Sequence, residues 1–422
     1  MLFIKNIKKL VQAEDLPRSR VEGTAMSALP VIDNAWLLIR DDRIEDFGRM
    51  EELEEAGSGM AAGGQIEHFD AAGRMVFPSY CDSHTHLVYA GSREIEYIDK
   101  IKGLSYEEIA KRGGGILNSA KLIRRTGEEE LYRQSLERVK EIIMLGTGAV
   151  EIKSGYGLTP EDEIKMLRVI RRIKETMPVI VRSSFLGAHA LPAEYKNRRK
   201  EYVDLVIGKM IPMVAGEALA DYIDVFCDRG FFTPEDTARI LKAGTKYGLR
   251  GKIHANELDY SGGIQTGVRY NALSVDHLEF TGEEEIAALL ASETMPTLLP
   301  GAAFFLGMEY PPARRMIDAG LSVAMASDYN PGSSPSGNMK FIMSLGCIKL
   351  KMLPEEVINS VTINGAYAMG IEEKAGSIAR GKKANLFITK IIPGYEFMPY
   401  AYGSNHIDTV ILNGKRVEYD LK

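Results

Sequence analysis

Short apolar runs recur through the middle of the chain, and segments with a helical pattern separate most of them. Continuous apolar runs of this length are typical of strands buried on both faces. Strands that alternate with helices predict a parallel sheet, and eight of them predict a closed (β/α)8 barrel, here over residues 74–375. The predicted strands cover residues 81–86, 149–153, 179–181 (leading on to 185–189), 222–227, 252–254, 273–277, 297–299 and 322–328.

Two helix starts share one four-residue pattern. Thr159 and Thr233 each precede a proline and two acidic residues. Threonine caps the free N–H groups of a helix, proline suits the first helical position, and acidic residues stabilise the first turn. A third, amphipathic helix is predicted over residues 283–292. The helices therefore fall between barrel strands, as the fold requires.

The two ends of the chain lack a strong helical period. Residues 1–73 contain short strand-like runs and turns, and residues 376–422 contain similar runs at 384–388 and 409–415. We therefore predict one small β-sandwich domain formed by both termini. The glycine-rich stretch 57–64 predicts an exposed loop within it.

The composition of the 422-residue chain, 45% hydrophobic and 26% charged, is that of an ordinary globular protein. The net charge is −6 and no dense basic stripe is present, which argues against a nucleic-acid partner. No apolar run reaches the roughly 18 residues of a membrane span, and the first residues lack the apolar region of a signal peptide. Three widely spaced cysteines do not form a disulfide framework. We therefore predict a cytoplasmic protein that acts on a small molecule.

Polar residues stand where the predicted strands end. His84 and His86 close the first strand, and the strand period of two places both on one face. Imidazole and carboxylate groups bind transition metals, although a single His-x-His is also typical of two surface histidines. The C-terminal ends of barrel strands meet at the face where such barrels carry their chemistry. The other polar residues that close a strand are His189, His254, His277 and Asp328.

The connection between the first two predicted strands is unusually long. It runs from residue 87 to residue 148 and contains Arg93, Tyr106 and a triple glycine at 113–115. Long loops at the catalytic face of a barrel are more often functional than decorative. We therefore expect this loop to take part in ligand binding.

These features together resemble the amidohydrolase superfamily: a barrel, a split β-sandwich, His-x-His after strand one, histidines after strands five and six, and Asp after strand eight. Longer motifs are similar to those of the imidazolonepropionase family, at residues 91–94, 153–158, 185–190 and 328–335. The resemblance implies hydrolysis of the ring C–N bond of 4-imidazolone-5-propanoate to N-formimidoyl-L-glutamate, a step of histidine degradation. It also implies a homodimer.

The resemblance further implies the site residues. One zinc or iron ion per chain would be held by His84, His86, His254 and Asp328. Glu257, His277 and Asp328 would be catalytic, with the residue that takes the water proton left open. Arg93 would bind the propionate through two charge-assisted hydrogen bonds. The implied substrate-binding residues are Arg93, Tyr106, Tyr156, His189, Glu257, Asn330, Gly332 and Ser333.

The residues themselves leave alternatives open. Arg93 would otherwise be a surface ion pair with Glu94 or Glu96, and residues 330–335 would be a plain turn. Many relatives hold two metals bridged by a carbamylated lysine on strand four. Lys153 lies on the second predicted strand, so a single metal is favoured and Lys153 is expected to pair with a nearby acid.

Two other functions compete with this interpretation. One is another mononuclear amidohydrolase or a deaminase acting on a small heterocycle such as cytosine or guanine. Arg93 and two tyrosines favour an anionic substrate over a neutral base. The other is an inactive scaffold, which would be expected to have lost metal ligands, whereas all four are present.

Overall fold

The computed structural model describes residues 1–53, 66–104, 108 and 114–419. The predicted loop at 57–64, the predicted substrate residue Tyr106 and Gly113 lie outside the described residues. Among the helices that the structure describes, none combines the length and the apolar character needed to cross a membrane.

Strands are found in three groups along the chain. Five precede the barrel: β1 (Leu2–Val11), β2 (Val31–Arg40), β3 (Arg43–Arg49), β4 (Glu67–Asp70) and β5 (Met75–Pro78). The barrel strands are β6 (Tyr80–Thr85), β7 (Thr147–Lys153), β8 (Ile180–Ala188), β9 (Tyr222–Cys227), β10 (Arg250–Ala255), β11 (Ser274–His277), β12 (Met295–Leu298) and β13 (Ala324–Met325). The C-terminal group is β14 (Leu386–Thr389), β15 (Ile407–Leu412) and β16 (Lys415–Val417).

The predicted barrel is confirmed. Strands β6 to β13 pair in sequence order, and every pair is parallel. The barrel closes where the chain after β13 meets the end of β6: Asp328 N donates to His84 O at 3.0 Å, and His86 N donates to Tyr329 O at 2.9 Å. Strand β13 is shorter than predicted, and the chain that follows it takes a left-handed conformation at Asp328, where φ is 53°.

Helices cover the outside of the barrel and lie in the connections. The predicted caps at Thr159 and Thr233 are confirmed, since each side chain accepts a hydrogen bond from the third residue of its helix. The helices are α1 (Glu94–Ile101), α2 (Ile116–Arg125), α3 (Glu128–Met144), α4 (Pro160–Thr176), α5 (Arg199–Leu205), α6 (Ile211–Gly216), α7 (Pro234–Thr245), α8 (Gly263–Arg269), α9 (Glu283–Leu290), α10 (Pro300–Leu306), α11 (Ala313–Asp318), α12 (Met339–Ile348), α13 (Pro354–Val361), α14 (Ile363–Ala368) and α15 (Phe397–Tyr400).

Both termini form the second β structure, as predicted. Its strands join in one mixed sheet in the order β16-β15-β14-β5-β1-β2-β3, with β4 paired to β1. Residues at alternate positions of β1, including Leu2 and Ile4, pack in an apolar core with Leu386 and Ile411. Because β5 runs directly into β6, this sheet anchors the start of the barrel strand that carries His84.

Candidate metal centre and ligand pocket

Four side chains converge at the C-terminal ends of the barrel strands. His86 Nε2 lies 3.2 Å from Nε2 of His84 and 3.2 Å from Nε2 of His254. Asp328 Oδ1 lies 3.5 Å from Nε2 of His84 and 3.6 Å from Nε2 of His86. Ligand atoms about 2.1 Å from one tetrahedral ion stand about 3.4 Å apart. The spacing of these atoms therefore fits a single bound metal.

The Nδ1 atoms of His84 and His254, opposite the converging Nε2 atoms, make hydrogen bonds that also suit metal binding. His84 Nδ1 lies 2.6 Å from Asp276 Oδ2, and His254 Nδ1 lies 3.1 Å from Asp224 Oδ1. Since a carboxylate accepts, each Nδ1 carries the proton and each Nε2 presents a lone pair to the shared point. Burial lowers the pKa of both His84 and His86 well below the usual value, which keeps these rings neutral.

Two further histidines stand beside the four residues. Within the described chain, ring nitrogens also come within 4.8 Å of one another in the groups His84–His254–His277 and His86–His189–His254. His189 donates Nδ1–H to the carbonyl of Gly155 at 3.0 Å. The geometry therefore also brings His189 and His277 within reach of a metal bound by their neighbours.

His277 lies between two acids, the partly buried Glu257 and the buried Glu279. Its Nε2 is 3.7 Å from Glu257 Oε2, and its Nδ1 is 3.8 Å from Glu279 Oε1. Burial raises the pKa of Glu257 to about 7. Burial by itself lowers the pKa of His277, but Glu257 and Glu279 outweigh it and raise that pKa to about 10. Sequence reasoning missed Glu279, which lies past the end of β11.

The backbone is strained at two of the predicted catalytic residues. His277 has φ of 85° and Asp328 has φ of 53°, in the left-handed region that few non-glycine residues adopt. Strained conformations cluster at functional sites because the surrounding structure has to hold them. Both residues turn their side chains toward the cluster just as their strands end.

A cavity of about 620 Å³ opens over this cluster. Its size is that of a small-molecule site. Lys100, which the sequence did not single out, also lines it, as do Phe226 and Phe304. The predicted substrate and catalytic residues that the structure describes all line this cavity: Arg93, Tyr156, His189, Glu257, His277, Asp328, Asn330, Gly332 and Ser333.

Arg93 forms one of the two ion pairs that its sequence context offered, and it does so next to the cavity. Its Nε and Nη2 donate to Glu96 Oε2 at 2.8 and 2.6 Å, so the ion pair with Glu96 exists. Both side chains are buried, and Arg93 also lines the cavity, so the pair is not a surface ion pair. Nη1 faces Gly332, where an added Cβ would overlap the guanidinium. Lys100 donates to Gly332 O at 3.0 Å, which brings a second positive charge to the same wall.

Three polar side chains hold the loops of the site. Asn330 Oδ1 accepts from the N–H groups of Gly332 and Ser333, both at 2.8 Å, so its amide organises the turn that the sequence also predicted. Glu163, in the first turn of α4, accepts from three backbone N–H groups between residues 155 and 158. Asp228 accepts from the backbone N–H of Glu257 at 2.7 Å. The sequence offered no signal for Glu163 or Asp228.

Comparisons with known proteins place the chain in a family. The model of the amidohydrolase family matches residues 75–417, so the chain belongs to the amidohydrolase family. Within it, the chain belongs with the imidazolonepropionases: it is 55% identical over 413 residues to that of Flavobacterium johnsoniae, covering 98% of this chain and 99% of the relative. It is 42% identical over 416 residues to that of a Geobacillus species, covering 99% and 97%.

Solved structures show the same fold in more distant relatives. The guanine deaminase of E. coli matches with a TM-score of 0.70 at 14% identity, covering 99% of each chain. The 5-methylcytosine deaminase of Klebsiella pneumoniae matches with a TM-score of 0.73 at 17% identity, covering 99% of this chain and 98% of that one. At these identities the similarity concerns the fold alone.

Proposed function

We propose that this chain hydrolyses the ring C–N bond of 4-imidazolone-5-propanoate to give N-formimidoyl-L-glutamate, a step of histidine degradation. One observation carries the proposal: a single cavity is lined both by four histidines with Asp328 and by two cations, Arg93 and Lys100. A ligand that places a ring against the histidines and a carboxylate against the two cations is a small anionic heterocycle. Imidazolonepropionases at 42–55% identity over nearly the full chain support this substrate.

We infer that one zinc or iron ion would be held by His84, His86, His254 and Asp328. Such an ion, when bound, lowers the pKa of a water toward neutrality and polarises a carbonyl. The three imidazoles and one carboxylate suit either metal. Lys153 does not serve as a bridge to a second ion, because its Nζ donates to Glu151 at 2.6 Å and to Asp224 at 2.8 Å. An ammonium held in this way is not a nucleophile toward carbon dioxide.

The other groups of the cavity would move protons and orient the ring. Glu257, with a pKa near the working pH, can take a proton from water and return it to the ring nitrogen that leaves. His277 can donate a hydrogen bond to the ring carbonyl oxygen as charge develops there, or it can carry a proton during ring opening. His189 donates Nδ1–H to Gly155 O, so its Nε2 can accept a hydrogen bond from a ring N–H. Asp328 is the other carboxylate of the cavity that can accept the proton of the attacking water.

The direct test is turnover of 4-imidazolone-5-propanoate by purified protein reconstituted with zinc or with iron. Cytosine and guanine serve as the comparison substrates, because deaminases share the fold. We expect ring opening of the imidazolone and no ammonia release from either base. Deamination of a base without ring opening would replace this proposal by the deaminase alternative.

Arg93→Ala should lower kcat/KM by roughly 30-fold or more, because losing a charged hydrogen-bond partner costs about 2–5 kcal/mol. Arg93→Lys should recover only part of this, since an ammonium cannot make the planar paired contact. Steady-state kinetics with metal analysis measure both variants. Arg133→Ala is the matched control, because Arg133 forms a similar ion pair with Glu130, three residues away, on the exposed side of α3. An unchanged kcat/KM in Arg93→Ala would place the carboxylate elsewhere.

Gly332→Ala should raise KM about tenfold, equivalent to about 1.4 kcal/mol, with a smaller effect on kcat. The reason is steric: the added methyl would displace the Arg93 guanidinium. Metal content should stay at the parent value. Gly403→Ala is the control, since nothing lies within 4 Å of a Cβ placed there. A parent-like KM would show that Arg93 can shift at no cost.

A further inference from the structure

A second cluster of charges lies inside the barrel, directly behind the histidine cluster. Glu151, Lys153, Asp224, Lys252 and Asp276 are all buried, with side chains fully shielded from solvent. They stand on β7, β9, β10 and β11. Three carboxylates face two ammonium groups, which leaves an excess of one negative charge. Buried charges are costly unless they are paired, so this arrangement needs a reason.

Lys153 connects the two acids that contact candidate metal ligands. Its Nζ lies 2.8 Å from Asp224 Oδ2 and 3.6 Å from Asp276 Oδ2. Asp224 uses its other oxygen, Oδ1, for Nδ1 of His254, and Asp276 uses the same Oδ2 for Nδ1 of His84. One ammonium group thus touches both carboxylates that set the tautomer of two imidazoles. Burial by itself raises the pKa of Asp224, but Lys153 and His254 hold it well below the usual value.

Lys252, the other buried lysine of this cluster, provides a comparison for Lys153. It is equally buried, and it pairs with Glu151 and donates to the carbonyls of Ser83 at 3.0 Å and Ala368 at 3.1 Å. None of these contacts is to an acid that touches a candidate metal ligand. The two lysines share full burial and a contact with Glu151. They differ in that Lys153 also contacts Asp224 and Asp276, whereas the other contacts of Lys252 are backbone carbonyls.

We propose that Lys153 is a positioning residue for the metal site: through Asp224 and Asp276 it holds His254 and His84 with Nδ1 protonated and Nε2 aimed at the shared ion. The inference rests on the proposed metal site and deepens it. Lys153 touches neither the ion nor the substrate. Its loss should weaken metal binding, because outer partners of ligating histidines typically contribute about 10- to 100-fold in metal affinity.

The test compares Lys153→Met with Lys252→Met in the full chain. Each replaces a buried ammonium by an apolar side chain of similar length, so both should lower the melting temperature. Only Lys153→Met should weaken Zn²⁺ affinity by about 10- to 100-fold, measured by competition with a chromophoric chelator. Only Lys153→Met should change the visible spectrum of the Co²⁺-loaded protein, which reports ligand geometry. KM measured at saturating metal should stay close to that of the parent.

Asp276→Asn provides a second variant if Lys153→Met does not fold, since it keeps the side-chain volume and leaves Lys153 paired with Asp224 and Glu151. It should weaken Zn²⁺ affinity in the same range. Equal metal affinity and equal Co²⁺ spectra in parent and Lys153→Met, or in parent and Asp276→Asn, would overturn the proposal, as would a parent that binds no metal. A parent that binds Zn²⁺ normally but does not open the imidazolone ring would contradict the proposed function alone.

Discussion

Protein carrying His254→Ala should be purified with little bound metal and with kcat/KM reduced at least about 1,000-fold. His254 supplies one of the converging Nε2 atoms, 3.2 Å from that of His86. Water activation and carbonyl polarisation by a metal are worth several kcal/mol, and about 4 kcal/mol corresponds to this factor. Elemental analysis and the ring-opening assay on the same sample measure the two losses. His254 lies within the regular strand β10, so alanine introduces no backbone strain there.

His68→Ala is the control for this variant. His68 lies on β4 in the terminal sheet and is exposed, so its loss should change neither quantity. Removing metal from the parent with a chelator should abolish turnover, and adding zinc or iron back should restore it. Full activity of metal-free parent, or of His254→Ala, would contradict the proposed metal centre.

His277→Asn should lower kcat by about 100- to 10,000-fold while KM moves much less and the metal content stays at one ion per chain. Asparagine keeps a hydrogen-bond donor but cannot carry a proton, and general acid–base assistance accounts for a factor of this size. Asparagine also tolerates the left-handed φ of 85° found at this position, so the substitution tests chemistry more than folding. Steady-state kinetics and elemental analysis provide the readouts.

His406→Asn is the matched control, because His406 is also buried but lies outside the cavity, with Nε2 hydrogen-bonded to Ala401 O at 3.1 Å. Loss of metal in His277→Asn would make His277 a ligand, which its distance to His84 and His254 permits. A near-normal kcat would assign the proton transfer to Glu257 or Asp328 instead.

Much of the fold could be predicted from local pattern. Apolar runs marked the barrel strands, and the Thr-Pro pairs at 159 and 233 marked helix starts that the structure confirms. The seventh strand begins two residues earlier than predicted, and the eighth is reduced to Ala324–Met325. The second and fifth strands also begin two residues earlier than predicted, at Thr147 and Arg250. Strand ends differ because pairing with neighbouring strands decides them, and those neighbours lie far away in sequence.

The residues of the candidate site also fall into those that local pattern predicts and those that only tertiary contacts reveal. Residues at strand ends could be found because the ends of parallel strands meet at one face of a barrel, and this placed His84, His254 and Asp328 near one another in advance. Acids within apolar strand runs, such as Asp224 and Asp276, were a signal that sequence reasoning did not use. Lys100 and Glu279 carried no signal, since a charged residue in a loop is usually solvated.

The sequence by itself determined which residues form strands, which side of each strand they face, and which polar groups reach the C-terminal end of the barrel. These properties depend on side-chain periodicity and on local backbone preferences, and both act over a few residues. Only the tertiary structure decided that Arg93 pairs with Glu96 next to the cavity, that Glu279 stands beside His277, and that Lys153 contacts three acids behind the histidines. Such contacts depend on barrel closure and loop path, which fix distances between residues that the chain itself keeps far apart.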